Sequence, residues 1–156
     1  MKRGVPNWII LALVMLPLNS AGQAQAPWFG IWKMDFAQST GHPETRFRKV
    51  TSRIEPWKDG LKVTYDAVGV RGGVMHMEWR GRFDGRDYPV QGVDYVLTNA
   101  YSRIDDHTYQ IVIKVDGAAA ATARVVISLD GKTLTTVTTE KKATTTAVYE
   151  KQSRFQ

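Results

Sequence analysis

The sequence has 156 residues, with 21 Lys and Arg against 15 Asp and Glu, a net charge of +6, 43% hydrophobic residues and no cysteine. A chain of this length holds one domain, and its apolar content, with 5 Trp, 6 Tyr and 5 Phe, excludes an intrinsically disordered chain. The missing cysteine excludes disulfide scaffolds, thiolate metal sites, iron–sulfur clusters and cysteine nucleophiles.

Residues 1–24 read as a cleavable secretory signal. Lys2 and Arg3 precede an apolar run from Trp8 to Leu16, Pro17 breaks it, and small and polar residues follow up to Ala24. The run is shorter than a membrane-spanning helix requires, so the expectation is an exported protein, periplasmic or secreted, with no stable membrane insertion. Cleavage after Ala24 leaves a single domain over 25–156. It also removes Lys2 and Arg3, which lowers the net charge of +6 by two, to +4. That charge, without a run of cations interleaved with exposed aromatics, argues against a nucleic-acid partner.

Beyond the signal, β-branched and aromatic runs alternate with turn signals. The expected strands are 28–34, 46–56, 61–68, 74–83, 86–90, 94–104, 108–115, 120–129, 133–140 and 144–152. Asp59-Gly60, Asp84-Gly85, Asp116-Gly117 and Asp130-Gly131 supply the positive φ that tight hairpins need. A single helical turn around Asp35–Ser39 is the only helical candidate. Ten strands in a meander allow the first to pair with the last, which removes exposed sheet edges. The fold class is therefore all-β, an antiparallel up-and-down barrel of about eight to ten strands, with two packed sheets as the alternative. The polar faces, carrying Lys62, Asp66, His76, Glu78, Arg80, Arg82 and Lys114, speak against a lipid-facing barrel.

At the two ends the residues resemble a known family. Trp28-Phe29-Gly30-Ile31-Trp32-Lys33-Met34 is similar to the Phe-x-Gly-x-Trp opening of the calycins, the superfamily of lipocalins and fatty-acid-binding proteins, with Phe29 one residue closer to its glycine. Thr146-Ala147-Val148-Tyr149-Glu150-Lys151 looks like the closing strand of the fatty-acid-binding branch. A nearer resemblance is to small secreted bacterial lipocalin-like proteins of unsettled activity, which share a Gly-x-Trp-Lys start, Asp-Gly-Lys turns and a Val-Tyr-Glu-Lys end. The resemblance implies a barrel binding a small apolar or amphipathic molecule. In the fatty-acid-binding branch an Arg and a Tyr two residues apart on the last strand hold a carboxylate; here Tyr149 occupies the second position and Ala147 the first. Arg124 lies near the position of another luminal arginine of that branch, displaced by two residues. The helix pair that lids the cavity there has no counterpart between the first two strands of this sequence.

Physical reasoning assigns structural roles as well. Trp32 can plug one end of a barrel, with Lys151 or Arg154 covering its ring, and Gly30 permits close approach at the rim. Candidate ligand contacts are Arg124, Tyr149, Trp79, Tyr65 and Tyr109. Alternation leaves Arg124 open: it faces out if the apolar faces, including Met75 and Met77, point inward, and in if the lumen is polar. His76 and Glu78 share one strand face and are a base–acid or metal candidate, but Arg80 and Arg82 continue that face, as on a solvated outer wall. No nucleophile elbow, phosphate loop or His-Glu-x-x-His motif occurs. The reading is a non-catalytic barrel without metal or cofactor, taking a small hydrophobic or amphipathic ligand in its lumen. An envelope interaction module or inhibitor with a filled barrel is the alternative, and a barrel enzyme the third.

Overall fold

A computed structural model describes residues 26–41 and 45–153. The signal segment proposed for 1–24 and the candidate Arg154 lie outside the described residues. Ten strands follow in order: β1 (Gly30–Asp35), β2 (Phe47–Trp57), β3 (Gly60–Gly69), β4 (Val74–Gly81), β5 (Tyr88–Gln91), β6 (Leu97–Arg103), β7 (Thr108–Val115), β8 (Ala118–Ile127), β9 (Thr133–Glu140) and β10 (Ala143–Lys151). Each pairs antiparallel with its sequence neighbours, and β1 pairs with β10, which closes the barrel. The seam is short but regular, with Trp32 opposite Lys151 and Met34 opposite Tyr149. Closure satisfies the backbone of the first and last strands and excludes the two-sheet alternative.

The strands form where Val, Ile, Thr and aromatic residues accumulate, because branching at Cβ suits the pleated chain. Several expected boundaries move by two or three residues, including the starts of β1, β5 and β6 and both ends of β8, and two changes bear on packing. β4 ends at Gly81 instead of 83, and Phe83 packs from the following turn onto Trp28 and Tyr109, with ring centroids 5.3 and 5.4 Å apart. The Asp59-Gly60 turn shifts back one residue: Lys58 takes the left-handed conformation at φ 50°, and Gly60 opens β3. A Cβ at Gly60 would lie 2.0 Å from the Gly81 carbonyl oxygen, so glycine serves close strand approach there. Asp116-Gly117 is the expected tight turn, with φ of 49° and 81°.

No helix forms over residues 35–39. Asp35 Oδ1 instead accepts from the backbone N–H groups of Ala37 at 2.9 Å and Gln38 at 3.3 Å, an Asx-type turn. The chain then rejoins β10, where Thr40 N–H donates to the Thr146 carbonyl at 2.7 Å and Val148 N–H to Ser39 Oγ at 3.0 Å. The segment where a lid would stand thus lies, as far as it is described, along the barrel wall.

The strand directions separate two ends. One end gathers the start of β1, the end of β10 and the β2–β3, β4–β5, β6–β7 and β8–β9 turns. The other gathers the connection from β1 to β2 and the β3–β4, β5–β6, β7–β8 and β9–β10 turns. The deepest side chains, Trp32, Leu61, Val50 and Ile127, are fully buried, and the first end is the more heavily packed.

Candidate functional site

The packed end is built from rings. Trp79 stacks on Tyr101 with centroids 3.9 Å apart, Tyr101 stacks on Tyr109 at 5.4 Å, and Trp28 meets Tyr109 edge-on at 6.0 Å. Each ring buries roughly 150–250 Å², so this cluster carries much of the hydrophobic stabilisation. Trp32 beside it is completely buried and donates from Nε1 to the Trp28 carbonyl at 2.9 Å. Lys151 Nζ sits 4.9 Å from the Trp32 ring centroid and donates to the Pro27 carbonyl at 3.0 Å. Gly30 leaves the room for this cover: its φ is 149°, and a Cβ there would stand 2.7 Å from Lys151 Cε. Arg103 lies 5.4 Å over the Trp28 ring, a second cation at this end that the sequence reading did not assign, although it stands opposite Tyr109 across β6 and β7.

Above the rings the lumen is open. A cavity of about 380 Å³ lies inside the barrel wall and opens at the opposite end, at the small end of the ~300–1,000 Å³ usual for ligand sites. Its floor and walls include Tyr101, Tyr109, Tyr149, Tyr65, Ile111 and Val125, and its upper wall Thr136, Thr138, Thr145 and Thr146. Ser52, Ala147 and Ala123 keep the space free by being small. A wider depression of about 950 Å³ runs outside the wall over Ile31, Arg53, Pro56 and Gln152. It is a solvent-open groove among charged side chains, whereas the luminal cavity is walled by strands on its sides.

The polarity of the lumen is specific. Among the described residues that line it, Arg46 alone carries a fixed charge, and it stands exposed at the mouth with its guanidinium 5.6 Å over the Phe47 ring. Deeper in, the polar groups are hydroxyls. Burial pushes the phenols of Tyr101, Tyr109 and Tyr149 well up from their ordinary value, Tyr109 further through its neighbours Tyr101 and Tyr149. Burial raises Tyr65 as well, with Arg46 pulling in the other direction. At neutral pH the interior is therefore uncharged and hydroxylated, able to donate and accept hydrogen bonds.

Of the residues singled out from sequence, Tyr65, Tyr109 and Tyr149 line this cavity. Trp79 does not: it is 2% exposed, locked between Tyr101 and Tyr88, with its indole N–H donating to the Asn99 carbonyl at 3.1 Å. Arg124 does not either. The β7–β8 ladder slips once, at Ile113/Lys114, and then holds register to Thr108 opposite Val126, so Ala123, Val125 and Ile127 face in and Arg124 is exposed outside. Met75 keeps the inward parity of β4 but emerges at the mouth, 39% exposed beside Val74 at 77%. Val70, Tyr95 and Val96 extend this apolar rim along the neighbouring loops.

His76 and Glu78 face outward. His76 Nδ1 lies 2.6 Å from Asp66 Oδ1, while Glu78 pairs with Lys62 at 3.0 Å and Arg80 at 2.7 Å. The Lys62 hydrogen bond, followed by the nearby cations, holds the Glu78 carboxyl below its ordinary range. The pair belongs to a solvated charge ladder, and no cluster of three or more His, Cys, Asp or Glu side chains suited to a metal occurs among the described residues.

Lining residues that the sequence reading did not assign to the lumen include Tyr101, Ser52, Thr136, Thr138 and Arg46. Tyr101 was legible in principle, since it stands opposite Ile111 across β6 and β7. The threonines were not, because β9 reads Thr-Leu-Thr-Thr-Val-Thr-Thr and gives alternation too little contrast to mark a face.

No protein-family model and no curated protein matches the sequence. Solved structures do match the fold. A Schistosoma mansoni fatty acid binding protein in complex with arachidonic acid superposes with a TM-score of 0.57 at 15% identity, covering 82% of this chain and 98% of that one. The fluorescent protein UnaG, in the form of a point mutant, matches with the same TM-score, identity and coverage. The ten-strand closed barrel is thus a calycin-like fold of the kind seen in fatty-acid-binding proteins.

Proposed function

We propose that this chain is an exported carrier whose barrel holds a small apolar or amphipathic molecule in its lumen without transforming it. The observation that carries the reading is the cavity of about 380 Å³ between the aromatic floor and the threonine-lined mouth, hydroxylated but uncharged inside. Such a lining suits a ligand with a long apolar body and few polar atoms. Tyr65, Tyr109 and Tyr149 are its proposed contacts, joined by Tyr101. The fold likeness to a fatty-acid-binding protein supports a luminal ligand of this kind. Within the fold, the Gly30-x-Trp32-Lys33 start, the Asp130-Gly131-Lys132 turn and the Val148–Lys151 end support kinship with small bacterial lipocalin-like proteins. The charged, apolar, then small-residue pattern of 1–24 supports export.

The test is titration of the purified protein with the neutral dye Nile red, followed by displacement with decanol. A saturable one-to-one signal is expected, and Ala147→Trp, which fills the lumen, is expected to abolish it while the protein stays folded. A non-saturable signal, or one indifferent to Ala147→Trp, overturns the reading. For export, N-terminal sequencing of protein recovered outside the cytoplasm should begin at Gln25; an intact Met1 there would contradict cleavage.

A further inference from the structure

We infer that an anionic amphiphile in this lumen is held head-out, with its anionic group at Arg46 in the mouth and its apolar tail directed down toward Tyr109. The inference rests on the luminal reading above and adds the ligand's charge and direction.

The argument begins with where charge can be tolerated. A carboxylate moved into a protein interior without a cation loses several kcal/mol of solvation that hydroxyl contacts recover only in part. At the depth of Tyr149 the wall offers no cation: Ala147 occupies the neighbouring inward position on β10, and Arg124 stands on the outer face of β8. The environment there already disfavours negative charge, since burial keeps the surrounding phenols protonated well past their ordinary range. A head group taken that deep would meet donors but no counter-charge.

The mouth differs in each respect. Arg46 lines the cavity and is exposed, so an anion beside it keeps water on one side and a guanidinium on the other. Its side chain rests over the Phe47 ring at 5.6 Å, which narrows the positions it samples. Its backbone carbonyl accepts from Val70 N–H at 3.1 Å, tying this part of the mouth to the β3–β4 hairpin independently of the side chain. Below Arg46 the wall passes through Tyr65 to the aromatic floor, an uncharged path suited to a tail.

The test is calorimetric titration of the whole protein with decanoate and with decanol, a pair that differs in head-group charge on the same tail. Arg46→Glu is expected to weaken decanoate about five- to tenfold and decanol less than twofold, with Arg46→Gln between wild type and Arg46→Glu. Tyr149→Phe is expected to change the two ligands alike. Thermal melts of each variant separate loss of binding from loss of folding, and the exposed Arg46 tolerates both replacements. Decanoate affinity unchanged in Arg46→Glu, or lost selectively in Tyr149→Phe, overturns the head-out placement and leaves the luminal reading standing. Tight decanol binding with no decanoate binding does the same. Failure of both ligands on wild type removes the luminal reading and this inference with it.

Discussion

The two halves of this barrel use the same wall for opposite purposes. Toward the β1 start, Trp28, Trp79, Phe83, Tyr101 and Tyr109 pack ring against ring, and Trp32 is sealed beneath Lys151. Toward the mouth, inward positions on β9 and β10 carry Thr136, Thr138, Thr145 and Ala147, and the space remains open. The difference lies in side-chain volume on an unchanged ladder. Large rings fill the lumen to the density of a core, while small hydroxylated residues leave a cavity whose walls still pair through the backbone. Stability is thereby concentrated at one end and binding at the other.

The sharpest way to break that division is to cut into each half and compare. Trp32→Ala should cost about 3–5 kcal/mol in urea unfolding, the range for deleting a large buried aromatic. Thr136→Val in the cavity wall should stay within about 0.5 kcal/mol. Equal costs would mean that the open half is as tightly packed as the ring cluster.

Alkaline pH probes the boundary between the halves, where the buried tyrosines stand. Their phenols are raised in the folded protein, so above the unfolded value near pH 10 the unfolded chain loses protons that the folded chain keeps. Stability is then fully present below about pH 10 and falls as pH rises, by about 1.4 kcal/mol per pH unit for each such tyrosine. Denaturant midpoints measured across this range should drop, with tyrosinate absorbance appearing together with unfolding. Tyrosinate forming in a protein that stays folded would show a lumen far wetter than its lining implies.

Smaller effects sharpen the picture at the two rims. Lys151→Met keeps the stem over Trp32 but removes the charge and the hydrogen bond to Pro27, and should lower stability by about 1 kcal/mol. At the mouth, Lys141 occupies the left-handed region at φ 47° in the β9–β10 turn. Lys141→Gly relieves that strain and should raise stability by about 0.5 kcal/mol, visible as a small upward shift in Tm.

The fold was legible because several local signals agree. Period-two runs such as Leu61–Ala67 and Tyr109–Val115 specify strands, and Asp-Gly pairs mark four of the nine connections between them, the one at Asp59-Gly60 to within a residue. The even strand number allowed closure, and Trp32 and Gly30 could be assigned from residue type and position, with Lys151 as one of two candidate cations over the indole. The site was legible only in part. Tyr65, Tyr109 and Tyr149 stand on strands whose apolar alternation marks the inner face, whereas the threonines of β9 carry no such contrast. Trp79 has the right parity for the lumen, but its distance from the cavity depends on Tyr101 and Tyr88 from other strands.

What the sequence determined by itself was therefore the order of strands and turns, the place of Trp32 and Gly30 at the seam and the aromatic-rich strand faces, all of which are local or periodic properties. Tertiary structure decided which end is filled and which is open. It also set Arg124 outside and Arg46 at the mouth. Those outcomes depend on ladder register across β7, β8 and β9 and on the summed volume of side chains that meet from strands far apart in sequence.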